Sequence, residues 1–201
     1  MKGIIGITAI LGSILLLNTT PAAAWDGPFG LEMGLSLDQI KRVAPVTYSK
    51  PTYVTSKVPV PNAAFDDYRL LLTPQTGLCS ITAWTPEIEG HAYGDAVMAK
   101  FAQLSSMLSA KYGKPSSQFD FLRQGAIWKE PRDWMMSLEQ KERTLATFWG
   151  GDGAPLPNGI SNIAIKAVPM SSRAAMISLR YEFKNFEECR ALLNGNSSSG
   201  L

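Results

Sequence analysis

Apolar residues recur along the chain with two periods, and the switches between them mark off helices and strands. The longest helical stretch runs from Asp95 to Tyr112, where Val97, Phe101, Leu104 and Leu108 fall on one face. Asp95 is placed to cap its start, Gly113 and Pro115 stop it, and Lys111 and Lys114 sit where the helix dipole favours positive charge. A shorter helix opens at Ser36, with Gln39 as the other half of a capping box, Leu37 and Ile40 as its apolar side, and Pro45 as its stop.

Elsewhere the period is two. Tyr68, Leu70 and Leu72 alternate with Arg69 and Leu71, Pro74-Gln-Thr-Gly77 turns the chain, and Cys79, Ile81 and Ala83 alternate on the return. Val54, Val58 and Val60 suggest a strand over residues 53–60, which Pro51, Pro59 and Pro61 confine to a sheet edge. Residues 117–122 suit a strand and residues 126–129 a short one. A small helix opens at Pro131 and runs through Trp134 and Leu138 to Lys141. A strand over residues 144–149 leads into a ten-residue loop, 150–159. A last hairpin follows, with Ile163, Ile165 and Ala167 on one arm and Ile177, Leu179, Tyr181 and Phe183 on the other. Asn185 opens a final short helix that carries Cys189, Leu192 and Leu193. This order predicts an α+β fold: an antiparallel sheet covered on one face by the long amphipathic helix, with room for two αβ units, residues 36–84 and 95–183.

Phe29-Gly-Leu-Glu-Met-Gly-Leu-Ser36 with a helix opening at the serine, and later Gly113-Lys-Pro115, resemble pieces of small Gram-negative envelope modules. These are the SmpA-type outer-membrane assembly lipoproteins and the β-lactamase-inhibitor-protein type. Leu35 stands where those modules have Met, no lipidated Cys is present, and the two pieces fall on separate helices. The resemblance implies α/β modules that bind proteins rather than perform chemistry, and it transfers no catalytic residue.

With 201 residues and 45% hydrophobic content the chain can bury one core, so a single domain is expected. Residues 1–24 read as a signal peptide: Lys2, an apolar run over residues 4–17, and Pro21-Ala-Ala-Ala24 for cleavage. The run is shorter than the ~20 residues that span a bilayer, so no stable membrane anchor is expected after cleavage. The domain then covers residues 25–194, and the Gly/Ser/Asn-rich residues 195–201 read as a disordered tail. Periplasmic or secreted localisation follows. Lys and Arg are scattered and the net charge is only +2, which gives no nucleic-acid signal. In an exported chain the two cysteines, Cys79 and Cys189, invite a disulfide worth about 4.7 kcal/mol in chain-entropy terms; two separate buried thiols are the alternative.

Candidate chemistry is sparse. One histidine and two cysteines leave no metal-ligand set, and Gly150-Gly-Asp-Gly153 leads to prolines and a strand rather than to the helix that a phosphate cradle needs, so no cofactor is expected. A small periplasmic enzyme would have to use Glu87, Glu89 and His91, which also read as a solvated loop before the long helix. No catalytic residue is assigned. Trp128, Trp134, Met135 and Met136 have the make-up of a protein-binding surface, because with Leu138 they exceed what one short helix can turn inward; the alternative is that Trp134 and Leu138 pack on the sheet while one Met stays exposed. The expectation is a non-catalytic, exported protein-binding module whose partner is another protein: an envelope accessory factor, an inhibitor or an immunity-type protein. An enzyme, or a carrier of an apolar ligand held between helix and sheet, is the alternative.

Overall fold

In the computed structural model, residues 25–151 and 155–198 are described. The signal peptide read over residues 1–24 lies outside them. One antiparallel sheet collects every strand among the described residues: β1 (Thr47–Ser49), β2 (Thr52–Thr55), β3 (Asp67–Thr73), β4 (Gly77–Trp84), β5 (Ile88–Glu89), β6 (Ser117–Leu122), β7 (Arg143–Gly150), β8 (Ile160–Ser171) and β9 (Ala174–Phe183). Their order across the sheet is β1-β2-β3-β4-β9-β8-β7-β6, with β5 paired to β9. The helices are α1 (Leu37–Lys41), α2 (Asp95–Tyr112), α3 (Trp134–Glu139) and α4 (Phe186–Ser198). The fold is α+β, and the order helix, four-stranded meander occurs twice, led by α1 and by α2. No described helix is long and apolar enough to cross a membrane.

Register decides which alternate residues share a side. Leu70 faces Ile81, Ile81 faces Tyr181, Tyr181 faces Ile163, and Ile163 faces Trp149, so one row crosses β3, β4, β9, β8 and β7 on one side of the sheet. All of these are buried, in one cluster with residues of α2, α3 and the segment before α1. α2 lies against β5, β8 and β9, and α3 against β7 and β8. The entry segment plugs the same cluster: Phe29 makes edge contacts with Phe65, Tyr68 and Tyr181 at 4.9–5.9 Å between centroids, and Leu31 is fully buried. The core is therefore built by α1, α2, α3 and the entry segment besides the sheet.

The capping box forms as read. Gln39 N–H donates to Ser36 Oγ and Ser36 N–H to Gln39 Oε1. Asp95 is not a cap. Gly94 takes that position with φ 74° and no side-chain bond, and Asp95 contributes only negative charge to the first turn. The expected strand over residues 53–60 stops at Thr55, because Thr55 Oγ1 bonds both the N–H and the C=O of Lys57 and bends the chain. No strand forms over residues 126–129, where a buried carboxylate takes the backbone N–H groups of Ile127 and Trp128. The loop before α2 contains β5, a two-residue strand paired with β9. α4 continues to Ser198, so residues 195–198 are helical rather than a structureless tail; each added residue propagates a helix already anchored through buried Cys189.

Cys79 and Cys189 form a disulfide, which fixes α4 to β4. Such bonds persist in oxidising compartments, consistent with a place outside the cytoplasm.

Candidate binding face

The side of the sheet opposite the core cluster is where the chain leaves apolar surface uncovered. Its floor follows from register. One row runs Phe119, Ala146, Lys166, Ser178 and Trp84 across β6, β7, β8, β9 and β4. The next runs Phe148, Ala164, Arg180 and Thr82. Large and small residues alternate along both rows, so Ala146, Ala164 and Ser178 lie at the bottom of hollows walled by rings and cationic chains. The result is an open groove of about 720 Å³ bordered by Phe119, Phe121, Phe148, Lys141 and Lys166. It adjoins a second hollow of about 260 Å³ around Trp84, Arg180 and Glu182. Phe119 and Phe121 are 40% and 47% exposed, far more than the packed rings of the opposite side.

The aromatic side chains are ordered by contacts among themselves. Phe119 meets Phe148 edge-on at 5.7 Å and Phe121 at 6.1 Å. Lys166 Nζ lies 5.2 Å from the Phe148 ring centre, and the Arg69 guanidinium 5.5 Å from that of Trp84, both in reach of the ring quadrupole. α4 packs against β3 and β4, and its Phe186 meets the Arg180 guanidinium of β9, 4.8 Å from the ring centre. No carboxylate lines the larger groove, and among the described residues neither Lys141 nor Lys166 has an ion-pair partner. An apolar floor with unpaired cations can hold an apolar, acidic ligand.

The residues singled out in the sequence fall elsewhere. Trp134 and Met135 are buried, 6% and 1% exposed, together with Leu138; only Met136 and Trp128 are half-exposed. Trp134 and Met135 are therefore core residues and not a binding surface. The reason is the geometry of α3, a single turn and a half wedged between the sheet and the start of α2. Trp134 packs against Gly94 while Met135 N–H bonds Ala92 O, so neighbours on two sides bury both residues. The segment before α3 is held by Glu142, whose Oε2 accepts the N–H groups of Ile127 and Trp128 at 2.9 and 3.0 Å.

Glu87, Glu89 and His91 do not converge. All three are exposed, and the hollow of about 430 Å³ beside His91 is lined by Tyr93, Asp95 and Arg173 but by neither glutamate. Among the described residues no group of three His, Cys, Asp or Glu could hold a metal ion. The groove between α2 and the β6–β7 edge, about 540 Å³, is lined by Phe101, Ser105, Ser109, Gln118 and Asp120. That lining is too polar for the closed apolar cavity a lipid carrier needs. Part of the 150–159 loop lies outside the described residues; its end is pinned where Asn158 Nδ2 donates to Asp26 O at 2.6 Å.

Phe119, Phe121 and Phe148 escaped the sequence reading. Their available signal was the i, i+2 pair of phenylalanines in a six-residue strand that otherwise carries Gln118 and Asp120. No family model, no curated protein and no solved structure matches this chain, so the reading of the face rests on its own geometry.

Proposed function

We propose that the chain is an exported, non-catalytic protein that binds another protein through the open side of its sheet, with α2 as the structural cover of the other side. The observation that carries this reading is the groove of Phe119, Phe121 and Phe148 with unpaired Lys141 and Lys166 at its border. A contiguous patch of ordered, exposed rings marks a protein-recognition surface, and isolated exposed apolar residues do not. The resemblance of Phe29–Ser36 and Gly113-Lys-Pro115 to envelope binding modules supports the same role, as does the disulfide for a periplasmic or secreted setting. The roles that fit are an envelope accessory factor, an inhibitor or an immunity-type protein.

The test is site-specific photocrosslinking in the native cell envelope. A benzophenone amino acid at position 121 should give a discrete adduct with another protein, while the same group at exposed Gln103 on α2 should give none. Equal labelling from both positions, or none from position 121, would refute the reading.

A further inference from the structure

The sheet ends in two unlike edges. β1 is three residues long and is followed by Lys50 and Pro51, the usual devices that stop a strand from pairing onward. β6 is six residues long, carries no Lys, Pro or bulge, and among the described residues nothing pairs with its outer side. Its backbone parity is fixed by the bond from Arg123 N–H to Glu142 O at 2.8 Å. In the antiparallel register with β7, residues 117, 119, 121 and 123 therefore turn their N–H and C=O groups inward, and Gln118, Asp120 and Leu122 turn theirs to solvent.

The strand is also held rigid. Arg143 Nη1 bonds Asp120 Oδ1 at 2.8 Å, and Arg143 Nε donates to Ser137 Oγ, tying the edge to α3. The one acidic charge of β6 is thereby matched, and the strand is bracketed by the cations Lys114 and Arg123.

We infer that an extended, acidic-flanked segment of the partner protein adds to the sheet as a strand beside β6. Its backbone pairs with Gln118, Asp120 and Leu122. Its residues opposite Phe119 and Phe121 then sit in the narrow, non-hydrogen-bonded pairs, where side chains come closest, about 4.5 Å between Cα atoms. Alternate apolar residues of the segment thus pack on the two rings and the groove behind them, and acidic residues at its ends meet Lys114 and Arg123. A second copy of this chain fits worse: antiparallel self-pairing centred on Asp120 sets that residue against itself, and pairing centred on Phe119 sets Lys114 against Gln124 and Arg123 against Pro115, so neither cation meets a carboxylate. This inference rests on the proposed protein-binding role and specifies its mode.

The probe is a random dodecapeptide library displayed on phage and panned against the purified chain. Enriched peptides should alternate apolar and polar residues with Asp or Glu at the ends. Gln118→Pro, which removes one outward N–H and fills the seat beside it, should weaken them about tenfold or more, whereas Gln118→Val should not. Amide exchange on the unmodified chain gives a second readout that needs no variant. Gln118, Asp120 and Leu122 should exchange fast alone and become protected with peptide, while Phe119 and Phe121 are protected throughout. Peptides that bind Gln118→Pro as well as the parent and leave the three outward amides unprotected would overturn strand addition. If Phe121→Ser abolished those same peptides, the open face would stand as the binding site without the edge. Failure to enrich any peptide would overturn the inference, while the crosslinking at position 121 judges the broader role separately. A dimer in light scattering that Gln118→Pro dissociates would also overturn it, by identifying a second copy as the occupant.

Discussion

Gly94 should be among the least replaceable residues of the chain, and Gly94→Ala tests how α2 and α3 are locked together. Two costs add. The residue sits at φ 74°, in the left-handed region, where a side chain costs about 1–2 kcal/mol. A Cβ there would also lie 2.1 Å from Trp134 Cε3 and 2.6 Å from Cζ3. Carbon atoms prefer about 3.5 Å or more, so the ring would have to move by roughly 1.4 Å. Trp134 is 6% exposed, and the Arg143 guanidinium lies 5.5 Å from its ring centre, so it has no free direction. Overpacking of that kind costs about 1–3 kcal/mol, giving a total near 2–5 kcal/mol. Urea unfolding followed by far-ultraviolet circular dichroism measures it. Repeating the substitution in a Trp134→Leu background separates the terms: only the backbone cost of about 1–2 kcal/mol should remain. An identical loss in both backgrounds, or a loss below about 1 kcal/mol, would refute the steric argument.

Two further outcomes follow from buried groups. Replacing Cys79 and Cys189 together by Ala opens a loop of 110 residues and should lower stability by up to about 4.8 kcal/mol on chain-entropy grounds, read as a fall in the urea midpoint; an unchanged midpoint would remove the disulfide from the stability account. Burial pushes the Tyr181 phenol well above its ordinary value near 10, and the charge of Tyr112 and its hydrogen bond add to the rise. The unfolded chain then loses that proton first, so stability is fully present below pH 10 and falls above it by about 1.4 kcal/mol per pH unit for this group. Tyr181→Phe should flatten that alkaline decline in denaturation curves, and an equal slope in the variant would show that other groups cause it.

Local pattern carried most of the elements, and it failed where a long-range contact decided the outcome. α2 was legible because four apolar residues repeat over 18 positions between a glycine and a Gly-Lys-Pro stop, a signal that needs no knowledge of neighbours. The β8–β9 hairpin was legible for the same reason at period two. Residues 126–129 suit a strand by local pattern, and nothing nearby announces that Glu142, 14 residues on from Trp128, takes two of their N–H groups. β5 is only two residues long and exists through its pairing with Ala174 and Ala175, far along the chain. A short helix taken alone leaves open which of Trp134, Met135 and Met136 turn inward. The sheet on one side and the start of α2 on the other bury Trp134 and Met135 both.

The same limit hid the open face, and β6 shows how. Gln118, Phe119, Asp120 and Phe121 alternate, and by hydrophobicity alone the phenylalanines belong inside. The register with β7 says otherwise: Gln118 faces Thr147 and Asp120 faces Leu145, on the side of buried Trp149, while Phe119 and Phe121 share the open side with Phe148. A slip of one residue would reverse every assignment and carry both rings to the core side. Arg143 opposes that slip, since Asp120 must lie on its side of the strand for the 2.8 Å contact to form. The strand therefore keeps its polar residues toward the helices and its rings toward solvent against its own hydrophobic preference. A strand held in that inverted sense, at an unprotected edge, exposes apolar surface that burying it within this chain would have removed. That is why the candidate face is centred there and not on the more conspicuous Trp and Met cluster of α3.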